Sequence, residues 1–190
     1  ENQVVVDLYA SPQQVLFYNL DGSSFANSFQ LELNYEITHH FNIRTAYKYY
    51  DIQTDYTGGR DIKPLQAKHR FFTNIGYETH VSDKGKQWKF DWTMNILGKQ
   101  KMPFTGSNPV EFQAREWSPS LTLMNAQVTH SFSPVFEVYV GGENITNYRQ
   151  QDAIIGAHDA FGTYFDSSMI YGPVFGAMYY AGLRFKIKNK

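Results

Sequence analysis

A chain of 190 residues with net charge −1, a pI near 6.7 and no cysteine is long enough for one sizeable domain or for part of something larger. Near-neutral charge without a basic stripe offers nucleic acid no partner, and the lack of cysteine excludes a disulfide framework, a thiolate metal site and a cysteine nucleophile. Aromatic residues make up 17 %, with Tyr 14 and Phe 15, against a mean hydropathy of −0.46, so many rings must be housed in a chain that is polar on average.

The chain opens on Glu1 rather than Met and carries no signal-peptide pattern, which reads as a processed chain or a fragment. First come "QVVVDLY" and "QQVLFYNL", flanking Ala10-Ser11-Pro12, an expected tight hairpin. In "FANSFQLELNYEI", Phe25, Asn27, Phe29, Leu31, Leu33, Tyr35 and Ile37 share one face, opposite Ala26, Ser28, Gln30, Glu32, Asn34 and Glu36. "FNIRTAYKYYDIQ" sets Phe41, Ile43, Thr45, Tyr47 and Tyr49 against Asn42, Arg44, Ala46, Lys48 and Tyr50. "AKHRFFTNIGYET" sets Phe71, Thr73, Ile75 and Tyr77 against Lys68, Arg70, Phe72, Asn74, Gly76 and Glu78, and "WKFDWTMNILG" sets Trp88, Phe90, Trp92, Met94 and Ile96 against Lys89, Asp91, Thr93 and Asn95. A period of two over such lengths is that of a strand with one apolar face. In "SLTLMNAQVTHSF" the phase slips between Leu123 and Met124, an expected β-bulge. "VFEVYVGGENITN" places Phe136, Val138 and Val140 opposite Glu137, Tyr139 and Glu143. The chain closes on "GAMYYAGLRFKIKNK", where Tyr179, Ala181, Leu183, Phe185 and Ile187 alternate with Tyr180, Gly182, Arg184 and Lys186. No long amphipathic helix is legible, and no run of about 18 apolar residues that would make a transmembrane helix. The count is about eight strands without a domain boundary.

The connections alternate. "THH" and Ser133-Pro134 are short and "HVSDKGKQ" is modest; between them stand "TDYTGGRDIKPLQ", "KQKMPFTGSNPVEFQAREWSP" and the stretch from Tyr148 to Phe175. Strands near ten residues long, period two, and short turns alternating with long links are the habits of an outer-membrane β-barrel, whose apolar face meets lipid and whose polar face lines the lumen. The expectation is therefore an all-β fold, an antiparallel transmembrane β-barrel segment. Turns near His39 and Pro134 should lie at one rim, with Gly58, Asn108 and His158 at the other.

The words "FYNLDGSSFANSFQLELNYE", "IRTAYKYYDIQTDYTG", "LMNAQVTHSF", "VYVGGENITNY" and "YYAGLRFKI", in that order over almost the whole chain, resemble the C-terminal part of TonB-dependent outer-membrane receptors. The resemblance implies roughly the last eight strands of a 22-stranded barrel, residues 1–190 forming its C-terminal part with the N-terminal plug and earlier strands outside them. It implies uptake of a scarce nutrient (siderophore, cobalamin, metal chelate, glycan or peptide), an outer-membrane location, no catalysis and no cofactor. The implied partners are lipid, the plug, the TonB complex, the barrel-assembly machinery and the nutrient itself. The family's assembly signal maps onto Tyr180, Gly182, Leu183, Phe185 and Ile187, departing from the usual aromatic ending by adding Lys188, Asn189 and Lys190. Two other readings fit part of the pattern. One is a complete eight-stranded outer-membrane barrel with a structural or adhesion role. The other is a soluble lipocalin-like binder with its apolar face inward.

Chemistry-bearing residues are sparse. "GAHDAFGTYFDSSM" offers His158, Asp159, Phe161, Asp166 and Met169 in one long link as candidate substrate contacts, since nitrogen, oxygen and thioether groups suit a chelate. A plain polar loop is the simpler account. His39-His40 lacks a ligand at metal spacing and reads as a polar turn. His130 and Ser131 are strand neighbours whose side chains diverge, and no nucleophile elbow accompanies them, so catalysis is not expected. Asn144-Ile145-Thr146 matches a glycosylation sequon that a bacterial barrel does not use.

Overall fold

A computed structural model of the protein describes residues 3–7 and 14–187. Among these the fold is all-β and antiparallel, with no α-helix and one turn of 3₁₀ helix at Val110–Phe112. A small two-stranded sheet pairs β1 (Val4–Val6) with β2 (Phe17–Asn19) in register Val5↔Tyr18. The two limbs of the expected hairpin thus pair, while Ala10-Ser11-Pro12 lies outside the described residues.

The main sheet runs β10–β9–β8–β7–β6–β4–β3, with β5 attached to β4. Its strands are β3 (Ser24–Thr38), β4 (Phe41–Tyr56), β5 (Gly59–Ile62), β6 (His69–Glu78), β7 (Gln87–Leu97), β8 (Leu121–Ser133), β9 (Phe136–Glu143) and β10 (Met178–Phe185). Every long strand pairs with its predecessor, so the sheet is a meander. Its outer strands, β3 and β10, do not pair with each other, and the sheet is open rather than a closed barrel.

Pairing carries the alternating pattern across the whole sheet. Tyr35, Ile43, Ile75, Trp92, Ala126, Gly142 and Tyr179 stand directly opposite one another from strand to strand. Two residues away, Leu33, Thr45, Thr73, Met94 and Met124 do the same. Since a shift of one residue would move a strand's side chains to the other face, this register gathers most of the apolar residues of the seven strands on one side, with Phe72 and Leu123 among those on the other. The expected slip at Leu123 and Met124 is not there. Asn95↔Leu123 and Met94↔Met124 pair without interruption, so Leu123 falls on the polar face; the register shifts instead between Ser131 and Ser133 and between Glu36 and Thr38. Both shifts sit beside turns, where a strand can gain a residue without disturbing the pattern above it.

The polar face is the inside of a curl. A hollow of about 380 Å³ is walled by residues from Asn42 on β4 through Lys89, Thr129 and Glu137 to Arg184 on β10, and strands so far apart can share one hollow only if the sheet bends toward that face. Tyr180 Oη on β10 donates to Gln127 Oε1 on β8 at 3.1 Å across the intervening strand. The apolar face is correspondingly convex and bare: Phe29, Leu31, Leu33 and Tyr35 are 57, 61, 57 and 61 % exposed. Buried apolar residues among those described are Ala67, Met102, Leu121 and Met169, and all lie at or above one end of the sheet. No hydrophobic core underlies the strands.

Antiparallel order places the turns at His39-His40, at 79–86 and at Pro134-Val135 at one end, with the links 57–68, 98–120 and 144–177 at the other. Two turns touch: a Cβ on Gly85, whose φ of +75° favours glycine, would meet the Pro134 ring at 2.5 Å. The link between β4 and β6 is shorter than its sequence suggests, because Gly59–Ile62 folds back on β4 as β5, with Tyr56↔Gly59 closing the hairpin.

Candidate functional site

Two regions collect polar groups: the concave face and the layer of links at one end. On the concave face Glu137 is only 5 % exposed. Arg184 Nη1 lies 3.0 Å from its Oε2, Lys186 Nζ and Lys89 Nζ lie 3.5 and 4.0 Å from Oε1, and Ser131 Oγ donates to Oε1 at 3.3 Å. The cluster ties β7, β8, β9 and β10 together below the hollow. Arg44 pairs with Glu32 at 2.9 Å, and Asn74 Nδ2 donates to Asp91 Oδ1 at 2.9 Å and Thr93 Oγ1 at 3.0 Å. The expected inward charges thus meet one another along this face.

β9 and β10 are joined by a reciprocal fit. Gly182 stands opposite Tyr139 and Gly141 opposite Tyr180, and each glycine supplies the room for its partner's ring. The two rings meet edge to face at 6.3 Å. Tyr180 and Gly182, mapped from the resemblance onto an assembly signal, therefore pack on the concave face. Leu183 and Phe185 stand on the convex one at 70 and 66 % exposure. Ile187 follows the end of β10, exposed, and Lys188, Asn189 and Lys190 lie outside the described residues.

The links are built rather than loose. Gln150 is buried; its Nε2 donates to Met169 O at 2.7 Å, and its Oε1 accepts from Tyr171 N at 2.8 Å and Gly172 N at 3.1 Å. Gln100 Nε2 donates to Tyr171 O at 3.1 Å, joining one long link to the other. Asn144 accepts from Tyr148 N and donates to Tyr148 O and Phe175 O. Its amide is thus consumed by the fold, which rules on the sequon independently of habitat. Burial, with a hydrogen bond to Tyr171, holds the Tyr148 phenol above its usual pKa.

The candidate substrate residues separate. His158, Asp159 and Phe161 are exposed on the 156–166 turn, and the His158 ring stacks 6.1 Å from Phe112 of the other link. Asp159 Oδ1 caps Phe161 N and Asp166 Oδ1 caps Ser168 N, so both carboxylates serve their own turns. Met169 is 3 % exposed, its side chain packed beneath the link at the border of the hollow between the two long links. No group of three His, Asp or Glu able to hold a metal occurs among the described residues. At the opposite end His39 meets Glu36 at 2.9 Å and His40 meets His80 edge to face at 3.9 Å. Ser131 points to Glu137 on the concave face, whereas His130 packs between Trp88 and Phe132 on the convex one.

Sequence reading missed the hollow of about 490 Å³ between the links 98–120 and 144–177, to which Arg115, Trp117, Arg149 and Tyr171 contribute. Neither link has a periodic pattern, and their meeting depends on amides such as Gln100 and Gln150 that look like ordinary loop residues in a sequence. No family model matches the chain, and neither a curated protein nor a solved structure matches it.

Proposed function

We propose that this chain is the C-terminal part of the barrel of a TonB-dependent outer-membrane receptor that takes up a scarce nutrient. The observation that carries the reading is the direction of the curl, with polar residues inside and apolar residues outside. A lipocalin-like binder requires the reverse, and a soluble sheet would not leave Leu31, Leu33 and Leu183 bare on its convex side. Rings gather near the turn end of that side, Tyr77 beside Phe90 at 6.1 Å and Phe132 beside Phe136 at 5.8 Å, and Tyr47, Tyr49 and Phe71 gather toward the link end. The Met94–Met124 pair lies between, the distribution of aromatic girdles about a lipid-facing band.

Stagger supports a barrel. The row of opposed residues starts at Tyr35, near the turn end of β3, and finishes at Tyr179, the second residue of β10 at the link end. Strands displaced this steadily are tilted against the sheet's axis, as closure requires. The two unpaired edges, β3 and β10, are where further strands attach, which favours a large barrel over an eight-stranded one. In this reading the links face outward from the cell, the concave face surrounds a plug, and the TonB complex supplies the energy. The protein carries its cargo without altering it.

Outer-membrane fractionation of the intact protein, with folding read as heat-modifiable mobility, tests this. A folded, heat-modifiable band in the outer membrane is expected. A protein that stays folded in buffer without detergent overturns the proposal.

A further inference from the structure

The sequence gives His39-His40 no second ligand, but the fold brings one from the neighbouring turn. His80, in the 79–86 turn, sets its ring edge to face against that of His40, with the centroids 3.9 Å apart. Backbone pairing fixes the meeting on both sides. Glu78 N donates to His40 O at 2.8 Å and Thr79 N to Trp88 O at 2.9 Å, so the ladders of β4, β6 and β7 run right up to the two rings. His40 is half-buried and His80 exposed. Neither ring makes a hydrogen bond with a described residue, whereas the His39 ring has Glu36 at 2.9 Å and the His69 ring has the Tyr47 hydroxyl at 2.7 Å. The spacing is also tighter than packing alone favours, since aromatic rings settle with centroids roughly 4.5–7 Å apart.

Two imidazoles held this close, with their nitrogens left without a protein partner, suit a shared metal ion. A zinc–imidazole bond is about 2.0–2.1 Å, so two nitrogens on one tetrahedral ion stand roughly 3.3 Å apart. Rings with centroids 3.9 Å apart reach that separation by turning about their own side-chain bonds, with the ladders unmoved. The donors select the ion. Neutral imidazole suits zinc, nickel and copper, whereas magnesium and calcium take oxygen. No third His, Asp or Glu completes a cage among the described residues. Glu78, opposite His40, accepts from Gln87 Nε2 at 3.1 Å, and water fills the remaining positions.

We propose that His40 and His80 form a two-histidine site for a divalent transition ion of the zinc and nickel class, which clips the β3–β4 turn to the β6–β7 turn with water completing its shell. Each imidazole alone holds such an ion weakly. Once one has bound, the ladder presents the other at high effective concentration, and the two act as a chelate. The site stands apart from the transport reading, since it needs only the pairing of β4 with β6.

The test uses the intact protein in detergent, stripped with EDTA and then titrated in a calorimeter with Zn²⁺ and with Ni²⁺. A site is expected in the parent that weakens about tenfold or more in His40→Ala and equally in His80→Ala. The double variant should lose no more than either single one, because a lone imidazole has no chelate left to break. His39→Ala keeps both ligands and should bind as the parent does, and Mg²⁺ should not compete. Bound Zn²⁺ should also slow limited proteolysis within 79–86 several-fold in the parent and leave His80→Ala unprotected. Heat-modifiable mobility checks that each variant is folded. A parent that binds neither ion, binding that survives the loss of His40 or of His80, or a loss in His39→Ala equal to that in His40→Ala each overturns the proposal.

Discussion

Glu137 gathers Lys89, Arg184 and Lys186 on the concave face, and removing it has a different consequence from removing any one of them. Glu137→Gln leaves three cations facing each other, and a loss of about 1–2 kcal/mol is expected, since the cations keep partial access to water. In Arg184→Gln the two lysines still compensate Glu137, and the loss should stay under about 1 kcal/mol. Urea midpoints of the refolded protein in lipid vesicles check both; equal shifts would mean that Arg184 alone carries the cluster. The faces themselves can be tested at adjacent positions of β7. Met94→Arg puts a guanidinium on the convex side at mid-strand, where lipid contact would make it cost about 2–4 kcal/mol. Asn95→Arg, one residue on, enters the concave side and should change stability little. A reversed order would mean that lipid is on the other face.

At the scale of elements, β10 is keyed to β9 by two glycines that receive two tyrosine rings. Gly182→Ala should cost about 1–3 kcal/mol through overpacking against Tyr139. Tyr139→Ala in the same chain should recover most of that loss, because the added methyl then meets space. A double-mutant cycle without such coupling would show that the ring and the glycine are independent. Gln150 plays the corresponding part in the links. Gln150→Ala frees Met169 O, Tyr171 N and Gly172 N at once, so limited proteolysis within 151–170 should accelerate several-fold while heat-modifiability persists. Unchanged cleavage would mean that the link is held by other contacts.

What was legible in the sequence follows the same division. A period of two survives translation into structure because the ladder forces alternate residues to alternate faces, so Phe29 through Tyr35, Trp88 through Ile96 and Leu183 with Phe185 could be assigned to a side. β5 was hidden because Gly59–Ile62 is too short to show a period, and Leu123 misled because one apolar residue on a polar face imitates a slip. The links were opaque for a stronger reason. Met169, Gln150 and Gln100 are buried through partners that lie far along the chain, and no local pattern marks a residue whose partner is distant.

For the whole molecule, the scarcity of buried apolar residues decides its behaviour in solution. A chain whose strands leave their apolar face bare, with Ala67, Met102, Leu121 and Met169 as its buried apolar residues among those described, cannot recover in water the conformational entropy of ordering so many strands. Residues 1–190 expressed alone should aggregate in buffer and show a β-type circular dichroism spectrum only with detergent or lipid; a monodisperse, folded sample without either would contradict this.

The meander has a mechanical side as well. Each ladder bond lies across the strands, so tension along a strand loads a whole row of bonds together in shear, while tension across an outer strand opens them singly. Pulled from its C-terminal end, the sheet should resist along β10 and then yield in steps, each releasing a hairpin with its link. The largest step would come from β9, β10 and 144–177, where the Glu137 cluster, the two tyrosine–glycine keys and the Gln150 amide give way together.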